Sequence, residues 1–145
     1  MADLRNARFS VFFRNSLLNA GGLEDFDGAK VDVMSGAQPA TPETAIGAQV
    51  TLVTLTLNAE AFPDGAAVGG VATANAITSG VAGNTGTAAW ARIWNSARTQ
   101  VLMDISVGSS ADADVQNFEL PTTSIVSGIT YGANAFTLTL PMQGL

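Results

Sequence analysis

Apolar positions recur at helical spacing in one stretch of the chain. Phe13, Leu17 and Leu18 stand at i, i+4 and i+5, with Asn15, Ser16 and Asn19 on the other side, the stripe of a short amphipathic helix. Gly21-Gly22 follows, and glycines end helices because they accept the left-handed conformation of a C-cap. The spacing predicts a helix over residues 14–20. Everything after it reads as strand and turn. Residues 30–34 alternate through Val31 and Val33, and residues 35–47, broken by Gly36, Pro39, Pro42 and Gly47, form a loop. Residues 50–57 are the clearest early strand, and they carry a fault. Val50 and Leu52 share one parity, whereas Val53, Leu55 and Leu57 share the other. Strand side chains alternate strictly, so the switch at Leu52-Val53 means a β-bulge or a strand apolar on both faces.

Residues 65–86 are rich in Gly, Ala, Thr and Asn, and residues 71–77 alternate as a strand of small side chains. Small side chains let a second backbone come close, so tight packing or an interface is expected there. Residues 87–94 and 99–107 read as a hairpin around Asn95-Ser96-Ala97-Arg98. That loop sets Trp94 opposite Thr99, Arg92 opposite Val101 and Trp90 opposite Met103. One face then carries Trp90, Val101, Met103, Ile105 and Val107, with Arg92 as its single charge, free to stack on a tryptophan. Residues 111–117 and 122–126 give further short segments, and residues 135–140 close the chain with Phe136, Leu138 and Leu140 inward. About eight strands at this spacing predict an all-β fold, a single β-sandwich of jelly-roll type led by a short helix. The boundaries drawn are an N-terminal arm over residues 1–13 and a sandwich domain over residues 14–145.

Composition narrows the chemistry. The chain has 145 residues, enough for one domain, and contains no histidine and no cysteine. Histidine is the commonest general base, and His and Cys are the usual zinc ligands. A Ser-His-Asp relay cannot be built, and no Ser-x-x-Lys pattern surrounds Lys30, the only lysine. No phosphate-binding glycine loop is present. The expectation is a protein that is not an enzyme and takes no cofactor or metal. Glu24, Asp25 and Asp27 before Gly28 resemble the start of a calcium loop but lack its remaining oxygen ligands. Asp112 and Asp114, near Asp104 and Glu119, fall in a Ser/Ala-rich turn without the apolar pocket that acid catalysis needs.

Charge and hydropathy bear on partners. A net charge of −6 argues against nucleic acid, which is held by Lys and Arg. No stretch has the length of an apolar membrane span, and none reads as a cleaved signal peptide. Synthesis in the cytoplasm is therefore expected. Arg5, Arg8 and Arg14 crowd the first 14 residues beside Phe9, Phe12 and Phe13. These six residues are the candidate docking element: the rings bury area, and the arginines steer toward an acidic partner. Removing residues 1–13 is expected to leave a folded protein that no longer binds its partner. Trp94 and Tyr131 are an alternative, as a platform on which sugars stack.

Five segments also resemble a known family when taken in order. They are Arg14-Asn15-Ser16-Leu17-Leu18-Asn19-Ala20, Ser35-Gly36-Ala37-Gln38-Pro39-Ala40-Thr41-Pro42-Glu43-Thr44-Ala45, Gly69-Gly70-Val71-Ala72-Thr73-Ala74-Asn75-Ala76-Ile77-Thr78, Thr122-Thr123-Ser124-Ile125-Val126-Ser127-Gly128 and Phe136-Thr137-Leu138-Thr139-Leu140-Pro141. They are similar to small proteins encoded among the structural genes of tailed bacteriophages. Where such proteins have an Asp-x-x-Gly-Thr turn, this chain has Asn95-Ser96-Ala97-Arg98-Thr99. The resemblance implies a virion component made in the bacterial host cytoplasm. By analogy it implies a decoration or cement protein on the outside of the head, bound to the major capsid protein and to itself, often as a homotrimer. The rival expectation is a tail, fibre or neck module that binds host glycans, which Trp94→Ala would separate from decoration.

Overall fold

The computed structural model describes residues 8–13, 21–63, 71–111 and 118–139. The helix predicted over residues 14–20 lies outside them, as do Arg5, Arg14, Asp112, Asp114 and Leu140. The described chain is all-β, as the alternation predicts. Its strands are β1 (Arg8–Phe9), β2 (Lys30–Ser35), β3 (Val50–Thr56), β4 (Val71–Thr73), β5 (Gly80–Val81) and β6 (Gly86–Thr87). They continue with β7 (Trp90–Trp94), β8 (Val101–Ser109), β9 (Phe118–Leu120), β10 (Ser124–Ile125), β11 (Thr130–Tyr131) and β12 (Ala135–Thr139). The main sheet runs β3-β2-β7-β8-β9-β12-β4, with β1 paired to β8. All its pairs are antiparallel except β8–β9. Two short ribbons, β5–β11 and β6–β10, complete the fold.

Side chains from β2, β3, β7 and β8 share one core with those of β4, β9 and β12, so the two halves of the sheet face each other in a sandwich-like domain. Six of the seven phenylalanines form a connected chain through it. Phe13, Phe26, Phe118 and Phe136 in that chain are fully buried. Phe26 meets Phe13 edge-on at 5.0 Å and Phe62 at 5.5 Å, the offset geometry aromatic quadrupoles favour.

The fault in the early strand is a β-bulge. Val33 pairs with Val53 and Met34 with Thr51, so Leu52 is the extra residue, and both Leu52 and Val53 enter the core. The outer edge of β3 is covered rather than open. Thr56 and Thr78 exchange backbone bonds of 3.1 and 2.8 Å, and Gly83 donates to the Leu52 carbonyl at 2.9 Å. At Gly80 a Cβ would overlap the Thr54 carbonyl oxygen. The small-residue tract thus makes the expected close approach, and it removes an aggregation-prone edge.

The hairpin differs from its predicted register. Its loop is two residues longer, since Trp94 pairs with Val101, and Leu102 is a second bulge before Ile93 meets Met103. Asn95 causes this: its side chain accepts from the Thr99 and Gln100 amides, and its own amide donates to the Gln100 carbonyl at 2.9 Å. Arg98 takes the left-handed conformation, with φ of 57°. An odd shift in register moves side chains to the opposite face. Met103 and Ile105 therefore lie in the core, opposite Ile93 and Ala91, and do not share a face with Trp90.

Candidate functional site

The second face of the central sheet carries charge. Register places Thr54, Asp32, Arg92, Asp104 and Arg8 in one row across β3, β2, β7, β8 and β1. Arg92 is 3% exposed and Asp104 fully buried. Arg92 Nε and Nη2 each donate to one Asp104 oxygen at 2.8 Å, a bidentate fork. Burial pushes the Asp104 carboxyl above the ordinary carboxylate range, and the bonds and charge of Arg92 offset part of that rise. The Arg92 guanidinium also stands 5.6 Å over the Trp90 ring, so the expected stacking is present alongside an ion pair that alternation did not reveal.

Asp32 is the other node. It accepts from Thr54 Oγ1 at 2.7 Å, Trp94 Nε1 at 3.1 Å, and both Arg98 amino groups at 2.9 and 2.6 Å. These bonds hold the Arg98 guanidinium protonated to higher pH than usual. They also fix the Trp94 indole by its nitrogen edge.

A strap over residues 36–49 joins this face. Arg92 Nη1 donates to the Thr44 carbonyl at 2.8 Å, and Glu43 Oε1 accepts from the Val11 amide at 2.6 Å. Pro39 and Pro42 are buried along it. Between the strap, the N-terminal segment and the β7–β8 loop lies an open groove of about 410 Å³. Its walls include Phe12, Glu43, Trp94 and Gln100, with Arg92 at the base.

The docking residues read from sequence separate into two groups. Ser10 Oγ accepts from the Phe13 amide at 3.0 Å, as an N-cap does, and starts a helical turn at residues 11–13. That turn drives Phe13 into the core, and Phe9 packs partly against it. Phe13 is therefore not a docking residue, and a boundary after residue 13 cuts through packed structure. Arg8 and Phe12 remain exposed. Phe12 joins Trp94 in the groove, but Tyr131 does not. Tyr131 is spent elsewhere: its hydroxyl accepts from the Val126 amide at 2.9 Å. Among the acids read as a partial calcium loop, Asp27 accepts from the Ala61 amide at 2.8 Å. Among the described residues no three acids gather as a metal site.

Sequence reading missed Asp32 and Asp104 as structural nodes. Their signal was a lone acid inside an apolar run, Val31-Asp32-Val33 and Met103-Asp104-Ile105, at the level of Arg92. It also missed three exposed aliphatic residues on neighbouring segments. Val81, Val126 and Ile129 are 64%, 48% and 51% exposed. Backbone bonds from Ala82 to Ile129 (2.9 Å) and from Ile129 to Val126 (3.3 Å) place their segments side by side at the β5–β11 ribbon.

Fold and site together define a sandwich-like all-β domain with a braced charged face, a mixed groove beside it and exposed aliphatic residues near the β5–β11 ribbon. No protein-family model, curated protein or solved structure matches the chain.

Proposed function

We propose that this chain is a structural protein of a tailed-bacteriophage virion, a decoration protein that binds the outside of the head shell as a homo-oligomer. The order of motifs from Arg14 to Pro141 suggests the virion class. The observation that supports the docking role is the exposure of Val81, Val126 and Ile129 on neighbouring hydrogen-bonded segments, since exposed aliphatics suit protein contact better than solvent. Contacts of this kind are weak singly, and many copies on a lattice turn weak contacts into stable attachment. A cement role needs a stiff shape, and two bulges, a covered edge and buried ion pairing supply it.

The test is co-sedimentation with purified heads of the virus that encodes the chain. Val81→Asp with Ile129→Asp touches only exposed side chains, so its fold and melting temperature should be retained while head binding is lost. A folded double variant that still binds heads at wild-type level contradicts docking through these residues. Binding to isolated tails in place of heads contradicts decoration.

A further inference from the structure

We propose that the groove between Phe12, Glu43, Trp94 and Gln100 is a binding site for a neutral pyranose ring of an oligosaccharide. One wall is an aromatic plane tied at its nitrogen edge. Trp94 donates its only polar hydrogen to Asp32 at 3.1 Å, so the nitrogen edge is tied inward and the carbon surface of the indole is left to line the groove. Asp32 is itself fixed by Thr54 and by the fork of Arg98. Pre-organisation of this kind lowers the ordering cost of binding. The C–H face of a pyranose packs on such a plane while its hydroxyls point sideways to polar groups at the rim.

The rim supplies those groups. Glu43 uses Oε1 on the Val11 amide, and among the described residues no group donates to Oε2. The exposed amide side chain of Gln100 is uncommitted in the same sense. One is an acceptor pair, the other both donor and acceptor, which suits vicinal hydroxyls. Phe12, 39% exposed, adds an apolar wall. At about 410 Å³ the groove falls in the lower part of the small-molecule range.

Charge selects a neutral sugar. Arg92 at the base has its charge matched by Asp104. Among the described residues that line the groove the remaining charge is the Glu43 carboxylate, on a chain of net −6, so an acidic saccharide meets repulsion. Val81, Val126 and Ile129 contribute nothing to the groove lining. This site therefore stands or falls independently of shell docking.

The experiment titrates the full chain with lactose, cellotriose, chitotriose and sialyllactose, following tryptophan fluorescence and the Gln100 side-chain amide by NMR. Saturable binding of at least one neutral sugar is expected, with Kd of about millimolar order. Trp94→Ala and Gln100→Ala should each weaken it about tenfold or more, Trp94→Phe only severalfold, and Tyr131→Ala not at all. Gln100 is exposed, so its variant tests the site even where Trp94→Ala loses the fold. Saturation by none of the neutral sugars overturns the proposal. So does tighter binding of sialyllactose than of lactose, or unchanged affinity in Gln100→Ala together with Trp94→Phe.

Discussion

The two faces of strand β7 are one residue apart in sequence and opposite in chemistry. Ala91 and Ile93 point into the aromatic and aliphatic core, where contact is non-directional. Trp90, Arg92 and Trp94 point the other way, into a layer held by directed bonds: a bidentate ion pair, a fork onto Asp32 and a tie to the strap. Both layers are buried, since Trp90 and Met34 are each 1% exposed and neither belongs to the main core. The difference shows how one sheet can serve two ends. The apolar face supplies most of the burial, and the charged face fixes register, strap and groove wall. An odd shift in register would turn core side chains of the first face outward and would also strand buried charges on the second.

The largest break is expected at Asp104→Ala. It leaves the Arg92 guanidinium buried without its carboxylate, and removing one partner of a buried pair costs about 3–5 kcal/mol. Urea unfolding measures this. Arg92→Met with Asp104→Leu removes both charges and should regain wild-type stability or better. A double variant as weak as the single one would mean that the Arg92 bond to the Thr44 carbonyl holds this face.

Gly80→Ala comes next. Its Cβ would overlap the Thr54 carbonyl, so the cover on β3 must shift, at about 1–3 kcal/mol. Exchange of the Thr56 amide, which bonds the Thr78 carbonyl, should quicken. Wild-type stability in this variant would show that the close approach can relax freely. On the apolar face, Ile93→Val removes one methylene from the core and should cost only about 0.5–1.5 kcal/mol. A loss as large as that of Asp104→Ala would erase the contrast between the faces.

The smallest effect is a slope with pH. Burial makes Asp104 hold its proton more tightly in the folded chain than in the unfolded one. The folded state then binds more protons between the ordinary carboxylate value and the raised one. The contribution of Asp104 to stability therefore falls as pH rises through that window and is flat above it. Relative to Asp104→Asn, wild-type unfolding free energy should decline with rising pH across the window. A relative increase would contradict the assigned cause.

Alternation carried the fold class, because period-two patterning reports which positions meet a core. It even marked the Leu52 bulge, where two consecutive core residues break the parity. It misplaced the hairpin, because the register there is set by the side chain of Asn95 binding two amides, and composition gives no hint of that. The same shift hid the pairing of Arg92 with Asp104. The groove was half legible. Trp94 and Phe12 were each singled out, but for different roles. The β1–β8 pairing, the strap bond from Arg92 to Thr44 and the Val11–Glu43 bond bring their segments together across long sequence separations. Phe13 was misread for a related reason: exposed and core aromatics look alike until the Ser10 cap sets the turn.

The most direct test of the structural role is the copy number of this protein per purified virion, by quantitative mass spectrometry against the major shell protein. A head decoration protein should be present at a number comparable to the shell subunit. A handful of copies per particle would contradict decoration and move the chain to the neck or tail.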